Sequence, residues 1–177
     1  MALTATIVVG NPKPRSRTRA VAEALLERLL TPGSYDLEVI DLADHVDEVF
    51  RWPSVTMDTL NTRVAESDLA IFASPTYKAS YTGLLKTFLD RYPTNGLAGV
   101  ISIPVHTGGD LTHALAPTAN LAPLLMELGA VVPGRGFYVV TGELDRLDEL
   151  VDAAAAEYTA NLARMATLSI SMTARSR

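Results

Sequence analysis

Gly10-Asn11-Pro12-Lys13-Pro14-Arg15-Ser16-Arg17-Thr18-Arg19 decides how this chain is read. It follows the β-branched run Ala5-Thr6-Ile7-Val8-Val9 and leads into Val21, Ala22, Leu25, Leu26, Leu29 and Leu30, spaced for one helix face. It is therefore a strand-to-helix turn, where an α/β protein keeps free backbone N–H groups for an anion. The turn carries four cations and no carboxylate in a chain of net charge −5. Removing those four from the 15 Lys and Arg leaves 11 against 20 Asp and Glu. A local inversion of sign at a helix N-terminus points to a bound phosphate.

Outward from the turn, strand-like and helical patterns alternate. Strands are expected at 4–9, 37–42, 69–73, 100–105 and 137–140, helices at 17–30, 56–66, 82–90, 111–128 and 145–166. Strands dense in Val, Ile and Leu predict a parallel sheet covered on both faces. Five of each in 177 residues suit an α/β, flavodoxin-like doubly wound five-stranded sheet of order 2-1-3-4-5. One domain over 1–168 is expected, with a loose tail over 169–177; 44–53 is the least regular stretch.

The bulk properties exclude several classes of function. The chain is 48% hydrophobic and 20% charged, as in ordinary soluble domains, and has no cysteine. That removes thiolate nucleophiles and Cys-ligated metal centres. No segment approaches the roughly 18 apolar residues of a membrane span, and no secretory pattern opens the sequence. A cytoplasmic location is the default expectation. Outside the one turn no extended basic face remains, which argues against nucleic acid.

In the expected topology ligands sit beyond the carboxyl ends of the strands, at the switch between strands one and three. Three loops meet there. In the first, Pro12 and Pro14 stiffen the turn, Ser16 and Thr18 can cap the helix or bind phosphate, and Lys13 and Arg17 can add charge-assisted bonds. It is neither a Walker A motif nor GxGxxG, so a single phosphomonoester is the better guest. The plain alternative is a solvated basic turn with Ser16 as N-cap. The second loop, Ser74-Pro75-Thr76-Tyr77-Lys78-Ala79-Ser80-Tyr81-Thr82-Gly83, pairs small residues with two aromatic faces. Alternatively both tyrosines pack and Thr82 or Ser80 caps a helix. In the third, His106-Thr107-Gly108-Gly109-Asp110, paired glycines permit close backbone approach or a tight turn needing positive φ. His106 and His113 have no acidic or sulfur partners at ligand spacing, so no metal site is expected. No nucleophile elbow is present, and the aspartates a receiver domain needs are replaced by Ser74-Pro75 and Asn11-Pro12.

Residues 10–18 resemble the G-S-P-R-x-x-S-R-S phosphate loop of the NAD(P)H-dependent FMN reductase family. Thr76-Tyr77-Lys78-Ala79-Ser80-Tyr81-Thr82-Gly83-Leu84-Leu85-Lys86 is similar to its P-x-Y-K-A-S-Y-x-G-x-L-K motif, and Thr107-Gly108-Gly109 with His113-Ala114-Leu115-Ala116 to its T-G-G-x-x-x-H-x-L-A segment. The nearest kin look like the reductase components of two-component flavin monooxygenases. The resemblance implies bound FMN, NADPH or NADH as electron donor, a homodimer or homotetramer, and a partner monooxygenase. It implies that Asn11, Lys13, Ser16, Arg17 and Thr18 hold the FMN phosphate. Pro75, Thr76, Tyr77 and Lys78 then line the isoalloxazine and ribityl, and Thr107, Gly108 and Gly109 meet the ring's far edge. No catalytic acid or base is expected, because hydride passes directly from nicotinamide to flavin. Asn11 stands where the family usually has serine, and Ala119 where relatives often carry an aromatic. Other readings are an FMN-bound quinone or azo-compound reductase and a non-enzymatic flavin-binding module. Lys78, Arg91 and Arg135 are the cations eligible to meet an NADPH 2′-phosphate, and Arg15 and Arg19 are expected to steer ligands or face solvent.

Overall fold

The computed structural model describes residues 2–173. Five strands form one parallel sheet: β1 Leu3–Val9, β2 Tyr35–Asp41, β3 Leu69–Pro75, β4 Ile101–Gly108 and β5 Phe137–Val140. Their order is β2-β1-β3-β4-β5, the expected 2-1-3-4-5. The helices are α1 Arg17–Leu29, α2 Val46–Val49, α3 Val55–Ala65, α4 Gly83–Leu89, α5 Ala122–Glu127 and α6 Leu147–Thr173.

Alternation along the strands divides the core in two. Ile7, Val9, Ile71 and Val105 pack with Val21, Leu25 and Leu26 of α1 and Val151 of α6. Val8, Ala70 and Phe72 face the other way, against Leu60 of α3, Leu85 and Phe88 of α4, and Leu125 of α5. Phe72 and Phe88 are fully buried, each contributing on the order of 2–3 kcal/mol. Two-sided burial is why the strands read as continuous apolar runs.

Close approach at the switch point needs Gly10. A Cβ there would lie 2.5 Å from Leu85 Cβ. Instead the end of β1 lies flush with α4, and Thr82 Oγ1 donates to the Gly10 carbonyl at 2.5 Å.

Two helical expectations need correction. The span 111–128 is not one helix: it holds a 3₁₀ turn at Leu111–His113, a π turn at Pro117–Leu121, and α5. Pro117 and Pro123 supply no N–H, and their rings crowd the carbonyls four residues back, so a continuous α-helix cannot form. At the other end α6 runs on to Thr173, into the segment expected to be loose. Thr167 and Ser171 hydroxyls bond back to the Ala163 and Thr167 carbonyls, so the polar residues join the helix rather than compete with it. The rest of the expected tail, 174–177, lies outside the described residues. Among the described residues, no helix is long and apolar enough to cross a membrane.

Candidate flavin site at the switch point

The turn after β1 enters α1 through Ser16, whose buried side chain accepts from Arg19 N–H at 3.3 Å. This is an N-cap, and it leaves the first-turn amides of α1 directed outward as donors. The turn is braced from both sides. Asn11 Oδ1 accepts from Lys13 N–H at 2.9 Å, and Asn11 Nδ2 donates to Thr18 Oγ1 at 3.0 Å. Arg15 has φ 49°, and its N–H donates to the buried Asp41 carboxylate at 3.0 Å. Asp41, the last residue of β2, therefore holds the left-handed kink. The sequence reading missed it, although a buried acid at the carboxyl end of the strand beside β1 is a usable signal.

The second loop follows β3. Ser74 Oγ accepts from Thr82 N–H at 2.9 Å, and Thr82 caps α4 by accepting from Leu85 N–H at 3.2 Å. Thr76 N–H donates to the Thr107 carbonyl at 2.7 Å, tying this loop to the third. Tyr77 is half-exposed.

In the third loop neither Gly108 nor Gly109 has a positive φ. Gly108 is required for another reason: a Cβ there would lie 1.8 Å from Tyr138 Oη. Tyr138, on β5, donates to the Asp110 carbonyl at 2.8 Å and so braces the Gly-Gly loop. Burial raises the Tyr138 phenol above its ordinary range, which keeps it a donor. Two residues before Gly108, His106 is fully buried, edge-on to Tyr81, with Nδ1 3.5 Å from Thr76 Oγ1. Its Nε2 has no hydrogen-bond partner among the described residues. Burial pushes this imidazole down to about 4, so it is neutral at pH 7.

Together the loops enclose a cavity of about 360 Å³ lined by Asn11, Lys13, Ser16, Arg17, Thr18, Pro75, Thr76, Tyr77, Thr107, Gly108 and Gly109. Among the residues that the resemblance assigned to FMN, only Lys78 is missing from this lining. Arg15, expected to steer ligands or face solvent, joins it, as does Thr141, which was not singled out. Arg19 turns away, paired with Glu23 at 2.8 Å. Three cations and no carboxylate line the cavity, beside a helix N-terminus. That donor set fits a phosphate monoester. A second cavity of about 340 Å³ lies against α6, but its Arg135 is paired with Glu157 at 2.9 Å and leaves no surplus charge for an anion. Among the described residues no cluster of three or more His, Asp or Glu could hold a metal ion.

Residues 3–145 match the family described as NADPH-dependent FMN reductase. The chain belongs to that family. It is 34% identical over 128 residues to the FMN reductase (NADPH) of Escherichia coli K12, a match covering 70% of this chain and 65% of that protein, just under two thirds. Among solved structures it resembles an NADH:FMN oxidoreductase in its apo form, at 29% identity and TM-score 0.74 over 88% of this chain and 89% of the other. An oxidoreductase from Corynebacterium diphtheriae superposes with TM-score 0.80 at 25% identity, covering 92% and 98% of the two chains. For this member of the family, the cavity between turn 10–19 and the Gly-Gly loop is the candidate flavin site.

Proposed function

We propose that this chain is an NAD(P)H-dependent FMN oxidoreductase that supplies reduced FMN to a partner flavin-dependent monooxygenase. The observation that carries the reading is the joining of the basic turn, the Pro75–Tyr77 loop and the Gly108–Gly109 loop in one cavity. Lys13, Ser16 and Arg17, with the first amides of α1, would bind the phosphate. Tyr77 offers an aromatic face, and Gly108 and Gly109 offer backbone N–H groups to an electron-rich ring. Bound FMN supplies the hydride acceptor; the chain's own task is orientation and charge stabilisation. No cavity residue needs to move a proton for that step, in keeping with a lining of hydroxyls, amides and cations.

Family membership supports both dinucleotides as donors, since relatives are named for NADPH and for NADH. The exposed side chains of Phe50, Trp52 and Val55, at 74%, 65% and 84%, support covering by another copy in a homodimer or homotetramer. With nucleotide reactants of this kind the activity belongs in the cytoplasm. The test is an anaerobic titration of FMN-supplemented protein with NADH and then NADPH. FMN-dependent oxidation of at least one dinucleotide is expected; stable dinucleotide in the presence of FMN overturns the reading.

A further inference from the structure

Residues 77–80 form a closed turn between β3 and α4. Tyr77 N–H donates to the Ser80 carbonyl at 2.9 Å, and Ser80 N–H to the Tyr77 carbonyl at 3.2 Å. The two central residues, Lys78 and Ala79, have φ 51° and 66°. A tight turn with left-handed residues at both centres ordinarily recruits Asn and Gly, because a Cβ there crowds the backbone. Lys and Ala bring no such tolerance. The conformation has to be held by something outside the turn.

Asn120 makes such a contact. Its Nδ2 donates to the Ala79 carbonyl at 2.8 Å across 41 positions of sequence. Asn120 sits in the π turn Pro117–Leu121, where Ala122 N–H reaches back to the Pro117 carbonyl. The turn is itself pinned to the sheet: Thr118 Oγ1 accepts from Gly136 N–H at 2.9 Å, at the start of β5. A Cβ on Gly136 would lie 2.5 Å from Pro117 Cβ, so the approach is close. Thr118 and Asn120, two positions apart, point to opposite sides of the widened helix. One grips the sheet edge and the other grips the strained turn.

We infer that Asn120 is a positioning residue: from the π turn it clamps the left-handed Lys78–Ala79 turn and so fixes Tyr77 against the cavity. The inference rests on the flavin reading of that cavity. Loss of the clamp lets the turn relax, and Tyr77, half-exposed and joined to the turn through its own backbone, loses its place.

Amide hydrogen exchange on the full chain reads the clamp without any flavin. Asn120→Ala, and Asn120→Asp as a near-isosteric variant without the N–H donor, should speed exchange at the Tyr77 and Ser80 amides by about tenfold, with β4 amides unchanged as the folding control. Both variants should raise the KM for FMN by more than they lower kcat. Adding Ala79→Gly should restore slow exchange and the KM, because glycine takes a φ of 66° unaided. Unchanged exchange in both Asn120 variants overturns the clamp, whatever the flavin result. Faster exchange with an unaltered KM overturns the positioning role. Failure of the wild type to use FMN would overturn the proposed function instead, while exchange still reads the clamp.

Discussion

The Thr18 and Thr107 hydroxyls lie 2.7 Å apart, both buried, joining the first turn of α1 to the carboxyl end of β4. Thr18 Oγ1 also accepts from Asn11 Nδ2, and either of the two hydroxyls can donate to the other. Two of the three loops around the cavity are thus locked by a short polar chain, Asn11 to Thr18 to Thr107.

Thr18→Val keeps the shape and removes the link, leaving the Asn11 amide and a buried hydroxyl unpartnered. The expected loss is about 1–3 kcal/mol, with Thr18→Ser much closer to wild type. Urea unfolding measures it; a Val variant as stable as wild type would show that the chain is not structural.

Gly108→Ala sets a methyl group 1.8 Å from Tyr138 Oη and 2.8 Å from its ring carbon Cζ. Either the ring or the loop must shift, at a cost of about 1–3 kcal/mol, and FMN affinity should fall. Adding Tyr138→Phe removes the nearer clash and should recover part of the stability. Thermal unfolding and FMN titration check both; unaltered stability in the single variant contradicts the packing.

His106 makes stability depend on pH. Folded, its imidazole stays neutral down to about pH 4, whereas unfolded it takes a proton near 6.5. Between those values the unfolded chain holds more protons, so stability is complete above pH 6.5 and falls as pH drops toward 4. The contribution of this group approaches about 3 kcal/mol. His106→Leu should therefore show a shallower loss of stability between pH 7 and pH 4.5. Parallel curves for variant and wild type would contradict this.

The sheet was legible because strands buried on both faces leave unbroken runs such as Ile7-Val8-Val9 and Leu69-Ala70-Ile71-Phe72-Ala73. The region 111–128 misled, since Leu111, Ala114, Leu115, Leu121, Leu125 and Leu128 keep helical spacing. The prolines at 117 and 123 were the contrary signal, and local sterics prevailed over periodicity. The reach of α6 to Thr173 was hidden by its Ser and Thr residues, which favour turns unless their hydroxyls bond back along the helix. In the site, residue type exposed the loops themselves. What braces them was out of sight: Asp41 on Arg15, Tyr138 on Asp110 and Asn120 on Ala79 each act across 26 or more positions. Lys78 shows the same limit, because the left-handed turn that carries it away from the cavity leaves no mark in a Lys-Ala pair.

The central claim is that turn 10–19 holds the phosphate of FMN. FMN and riboflavin differ by that group alone, so titrating both by fluorescence quenching isolates its contribution. For Ser16→Ala combined with Arg17→Ala, the expected affinity loss for FMN is at least about tenfold greater than that for riboflavin. Equal losses for the two flavins, or no loss for either, would contradict it.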